Sequence, residues 1–173
     1  MSKFQQIANR LSGKGISQYF PVAWEHNVID TGEERGVAYE VHGVRVTGVV
    51  GGRRSYGHPV VVKRKPKDVD IYSLYKEFNT VVHPHILIEI KSRDSGKYVV
   101  AIRAVSTQDF MTADVAKLSI DELKTLAREI MNLEPAVKIV AYDITPKPQQ
   151  QLSTSKATQN LHPNTKYFSL LST

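Results

Sequence analysis

The chain has 173 residues, 41 % apolar and 23 % charged, which suits one globular domain with a real core plus an extension rather than two domains. It has no cysteine, which excludes disulfides, thiolate metal sites and a cysteine nucleophile. The formal net charge is +6, and residues 41–67 alone carry seven cations (Arg45, Arg53, Arg54, Lys63, Arg64, Lys65, Lys67) and no Asp or Glu, so the rest of the chain is close to neutral.

Taken in chain order, Phe4, Ile7, Ala8 and Leu11 fall at helical spacing and Gly13 and Gly15 follow, which predicts a short amphipathic N-terminal helix. The polar start has no secretory apolar region and no apolar run reaches membrane-spanning length, so a cytoplasmic or virion-associated, non-secreted protein is expected. Residues 25–35 read as a polar connection with a turn at Thr31-Gly32. Val37, Tyr39 and Val41 share one strand face, and Val44 and Val46 continue on the other parity, which reads as a β-bulge at Gly43. Residues 51–58 read as a loop and 59–65 as the returning strand, placing the cations at a hairpin tip and on its second strand.

Ile71, Leu74, Tyr75 and Phe78 predict a short helix within residues 68–80. Ile86, Ile88 and Ile90, then Tyr98, Val100, Ile102 and Ala104 across the polar stretch 92–97, predict a hairpin. Ser119 and Glu122 form a capping box opening a helix with Leu123, Leu126, Ala127, Ile130 and Met131 on one face, and residues 137–144 read as a last strand. The expected fold is α+β: an antiparallel or mixed sheet of about five strands packed by two or three helices, one domain over 1–144, with an extended low-complexity C-terminal arm over 145–173. The arm has no acid, includes Gln149, Gln150 and Gln151, and ends in Tyr167, Phe168, Leu170 and Leu171, an apolar anchor for a neighbouring subunit.

Six histidines are the remaining soft ligands, and of these only His83-Pro84-His85 is closely spaced. The intervening proline reads as a strand-entry turn rather than a ligand pair, so no metal site is expected. The acid-free basic segment points to a polyanion: Arg53 and Arg54 at the tip, Lys63 and Lys65 on one strand face and Lys67 are the principal phosphate contacts. Arg45 and Arg64 are secondary, and Tyr56 offers a stacking face. The reading that follows is a non-enzymatic, homo-oligomeric nucleic-acid-binding or nucleoprotein assembly protein without a cofactor, its partners being DNA or RNA and neighbouring subunits. A purely structural virion component assembled through the arm is a second reading.

A third reading is enzymatic. Glu89-Ile90-Lys91 with Asp70 (or Asp68) upstream resembles the carboxylate–carboxylate–lysine pattern of restriction-endonuclease-like nucleases. That resemblance implies Mg²⁺ held by Asp70 and Glu89, with Lys91 at the attacking water or scissile phosphate. The strand carrying Glu89 leads into another strand rather than a helix, and Glu89 and Lys91 also suit a solvated strand face able to pair with Arg103. There is no glycine-rich phosphate loop followed by Lys and a helix, and no Gly-x-Ser-x-Gly elbow.

Overall fold

The computed structural model describes residues 16–50, 52–106 and 115–146. Nine strands lie there: β1 (Ile16–Glu25), β2 (Val28–Glu34), β3 (Val37–His42), β4 (Val46–Val50), β5 (Arg53–Gly57), β6 (Val60–Arg64), β7 (Ile86–Ser92), β8 (Tyr98–Ser106) and β9 (Val137–Asp143). A 3₁₀ helix spans Ile71–Glu77, and one α-helix, α1, spans Ile120–Leu133. Seven strands form one mixed sheet in the order β1-β8-β9-β7-β6-β3-β2, and β4 and β5 form a separate two-stranded sheet.

The expectation of a five-stranded α+β fold is therefore corrected: the described chain is mostly β, with two helical segments. The N-terminal helix and the C-terminal anchor lie outside the described residues. Strand β2 runs through what reads as a polar connection, β1 precedes it, and β5 runs through what reads as a loop at 51–58. The expected 86–104 hairpin does not form, because β9 is inserted between β7 and β8, antiparallel to one and parallel to the other. The reason is visible in β9 itself: all its residues but Lys138 are buried, which is the pattern of an interior strand covered on both faces.

Both parallel pairs are made by helical crossovers. The 3₁₀ helix carries the chain from β6 to β7, and α1 carries it from β8 to β9. Parallel neighbours require such crossovers, whereas antiparallel strands close with short turns. Ser119 caps α1 by accepting from the Glu122 amide (3.2 Å), while the Glu122 carboxylate accepts from the Ser119 amide (2.9 Å). The α1 face of Leu123, Leu126, Ala127, Ile130 and Met131 is buried on one side of the sheet, in a core with Ile71 and Leu74 of the 3₁₀ helix and Val60, Ile86, Ile88, Val140 and Tyr142 of the strands. The other side holds a smaller core of Trp24, Val61, Leu87, Val99, Ile139 and their neighbours, joined by Val44 and Val46 at the base of the β4–β5 hairpin.

The β2–β3 connection is a two-residue turn at Arg35 (φ 53°) and Gly36 (φ 79°) between paired Glu34 and Val37. Positive φ at both positions marks a type I′ turn, which suits Asn-Gly far better than Arg-Gly. Gly32 is therefore a strand residue and not a turn; its partner Tyr39 lies over it so closely that a Cβ would sit 2.3 Å from the Tyr39 hydroxyl. Arg35→Asn is expected to raise stability by about 0.5–1 kcal/mol, measured by urea denaturation, despite losing the exposed 3.3 Å Arg35–Glu77 pair.

Candidate functional site

Two adjoining clefts of about 420 and 160 Å³ lie between α1 and strands β6 and β7, and they share Ile90 and Lys124. The apolar lining includes Ile71, Ile88 and Ile120, and the larger cleft carries Lys91, Lys124 and Arg128 against one acid, Asp121. Lys124 and Arg128 stand four residues apart on α1, so both project from the same helix face. Lys91 and Lys124 make no ion pair among the described residues. Cations on an apolar floor suit an anion with a flat or apolar body.

The basic segment does not gather on one surface. Lys63 is held by Glu89, with Glu40 also 3.8 Å away. Lys65 donates to the carbonyls of Val69 (2.8 Å) and Pro66 (3.2 Å), and Arg64 pairs with Glu33 at 3.1 Å. Lys63, Arg64 and Lys65 line the smaller cleft beside α1. Arg53 and Arg54 are exposed on β5, and the Arg45 guanidinium lies 5.4 Å from the Tyr56 ring centre, on the hairpin whose base packs with the opposite core. Lys67 is exposed. Asp70 caps the 3₁₀ helix by accepting from the Tyr72 amide, Asp68 is exposed, and Lys91 sits past a register shift from Glu89. Tyr167, Phe168, Leu170 and Leu171 lie outside the described residues.

Two buried polar networks occupy the hairpin side of the sheet. In the first, the Trp24 indole N–H donates to His42 Nδ1 at 3.0 Å, and His42 Nε2 faces Glu40 at 3.2 Å. Burial drives His42 down to about 4 in spite of Glu40, and burial also lowers the neighbouring His26. His26, Glu40 and His42 each offer a ligand atom within 4.8 Å of the others, the dimensions of a metal site. The chemistry does not fit one. An indole can only donate, so Nδ1 must be the bare nitrogen and the ring proton sits on Nε2, the atom a metal would need. The Lys63 ammonium near Glu40 opposes a dication further.

In the second network His85 Nδ1 meets Asp143 Oδ2 at 2.7 Å, and Arg103 Nη1 lies 3.3 Å from the same oxygen. Arg103 also donates to the Thr145 carbonyl (2.6 Å), and the Thr145 amide donates to Asp143 Oδ1 (2.9 Å). Burial alone would push Asp143 up, but the charges of His85 and Arg103 and the bonds from His85 and Thr145 outweigh it and hold the carboxyl at about 2. Arg103 is thus a core partner of Asp143 rather than a surface partner of Glu89. The signal for this network was a charged residue inside each of two apolar strands, Arg103 and Asp143, with the histidine of His83-Pro84-His85 as the third member.

Among the described residues this is an architecture of structural polar networks and one cationic cleft, on a mixed sheet with helical crossovers. Residues 67–153, half of the chain, match the family described as GMP synthase C terminal domain, and the chain belongs to that family. It is similar to a subunit of the glutamine-hydrolyzing GMP synthase of Saccharolobus islandicus, 37 % identical over 139 residues covering 76 % of this chain and 35 % of that protein. The corresponding protein of Sulfurisphaera tokodaii is 35 % identical over 147 residues, 82 % of this chain and 39 % of that protein. A shorter stretch of 51 residues is 51 % identical to the glutamine-hydrolyzing GMP synthase of Thermus thermophilus, covering 30 % of this chain and 10 % of that protein. The chain thus spans just over a third of the length of the Saccharolobus and Sulfurisphaera proteins. No solved structure matches it.

This membership overturns the reading of a nucleic-acid-binding, nucleoprotein or virion assembly protein, together with the nuclease alternative and the nucleic-acid and virion partners. The physical reason is the one above: the cations are divided between the two sides of the sheet, and several are already engaged by Glu89, Glu40, Glu33 and backbone carbonyls. The virion-associated option falls with that reading, and no helix among the described residues is long and apolar enough to cross a membrane.

The pH response follows from the two networks. His42 is lowered in the fold, so the unfolded chain takes up its proton first, and stability present above about pH 6.5 is lost as pH falls towards 4. Asp143 is also lowered, so a second loss runs from about pH 4 to about 2. The first phase amounts to something on the order of 3 kcal/mol. His42→Gln, which can offer Trp24 an amide oxygen, is expected to flatten that phase alone in urea midpoints measured from pH 7 to 3; an unchanged slope between 6.5 and 4 would refute the assignment.

Proposed function

We propose that this chain serves GMP synthesis as the C-terminal module of a GMP synthase, presenting the α1–β7 cleft to a nucleotide phosphate. The family match over residues 67–153 carries this reading, because it covers β7 and α1, the two elements that line the larger cleft. Lys91, Lys124 and Arg128 act as phosphate-facing cations, and the isoleucine floor accommodates the apolar edge of a base. The described residues hold no nucleophile paired with a general base in this cleft, so the bond-making chemistry is assigned to the remainder of such an enzyme. The chain works alongside that remainder in the cytoplasm.

The test is complementation. A guanine-requiring strain is given a GMP synthase stripped of its own C-terminal domain, with or without this chain. The expected result is growth without guanine only when both are present, with a Lys124→Glu/Arg128→Glu chain raising the KM for the nucleotide at least about tenfold. No growth from the pair would refute the module assignment; full activity of the charge-reversed chain would refute the cleft.

A further inference from the structure

Three imidazoles bond backbone carbonyls at the β4–β5 hairpin: one closes its base, and two join it to the segment that leads into β7. His58 Nδ1 donates to Val44 O at 2.9 Å, and His83 Nδ1 donates to His58 O at 3.0 Å. His85 Nε2 donates to Thr47 O, on β4 itself, at 2.6 Å. The hairpin also leans on the segment bearing these residues, since a Cβ on Gly57 would meet the Val82 carbonyl at 2.2 Å.

His85 differs from the other two. A carbonyl and a carboxylate are both acceptors, and the ring stands between one of each, Thr47 O and Asp143 Oδ2. Both nitrogens must therefore carry protons, which only the imidazolium provides. For His58 and His83 the carbonyl bond through Nδ1 needs a single proton, which the neutral ring supplies. Loss of a proton from His85 would set a lone pair against an acceptor at 2.6 or 2.7 Å, and the carbonyl contact is the weaker of the two to keep, because the carboxylate is fixed by Arg103 and the Thr145 amide.

We infer that His85 is a protonation-controlled clasp: as the imidazolium it docks the β4–β5 hairpin on the sheet, and as the neutral ring it keeps Asp143 and releases Thr47. The charged groups facing it are Asp143 from the end of β9 and Arg103 from β8, with His58 and His83 in the flanking loops and the uncharged Thr47 on the hairpin. The clasp governs how firmly the exposed Arg53, Arg54 and Tyr56 are presented, independently of the cleft beside α1.

The experiment follows amide exchange across the chain as pH is raised from 5 to 9, with nitrogen-detected spectra reporting the His85 ring. Both ring nitrogens are expected to be protonated wherever the hairpin is protected. Hairpin protection, corrected for intrinsic exchange, is expected to drop about tenfold in whatever conditions the ring spectra show His85 neutral, while α1 stays unchanged. His85→Gln, with one donor end and one acceptor end, is expected to remove the step. A neutral His85 in the docked protein, or a step that persists in His85→Gln, would overturn the inference; if that variant does not fold, the wild-type ring spectra alone decide.

Discussion

The Asp143 carboxylate is the constraint on which the rest of this structure depends. It is wholly buried where β9 ends, and it is held by a histidine from the start of β7, an arginine from β8 and an amide from its own exit segment. Taking a carboxylate out of water costs several kcal/mol, and only complete pairing repays it. His85 immediately precedes β7 and Arg103 lies on β8, so satisfying the carboxylate at the end of β9 ties the three strands together. Thr145 extends the same network by donating and accepting at Ile86, and His85 extends it to the hairpin through Thr47.

The sheet then sorts the functional groups by face. Alternation along the central strands sends Ile86, Ile88, Val140 and Tyr142 towards the helices and Leu87, Ile139, Ala141 and Asp143 towards the hairpin side. The polar networks sit on the second face, while the cleft with Lys124 and Arg128 belongs to the first. A run of seven cations that looks contiguous in sequence is divided by this geometry, because β4–β5 folds over one side and the end of β6 opens on the other.

Local signals in the sequence were the ones that could be read. The Ser119–Glu122 capping box and the five-residue apolar face specify α1 through contacts no more than a few turns apart, and the helix lies where they place it. The strand over Val137–Asp143 was equally legible as an element, but its position between β7 and β8 was not, since strand order depends on pairings between residues some fifty positions apart, such as Ile88 with Tyr142. The acidic stretch at β2 escaped because it carries no apolar alternation: as an edge strand it buries none of its residues fully, with Asp30 and Glu34 on one parity, Glu33 on the other and Ile29 exposed. The candidate site was partly legible: Lys63, Lys65, Glu89 and Lys91 do border the clefts, yet Lys124 and Arg128 lie off the apolar face of α1 and carry no sequence signal of their own, and the use of Glu89 to hold Lys63 could not be seen without the parallel pairing of β6 and β7.

The interior charges of this family member serve architecture, and the cationic cleft lies apart from them beside α1. That division makes the Asp143 network the central claim. Asp143→Asn keeps the shape and removes the charge, leaving His85 and Arg103 without their anion, and thermal and urea unfolding would measure the consequence. The account predicts a loss of about 3–5 kcal/mol at neutral pH, with weakened amide protection at Ile86 and Thr145; a variant within about 1 kcal/mol of the parent, with those amides still protected, would contradict it.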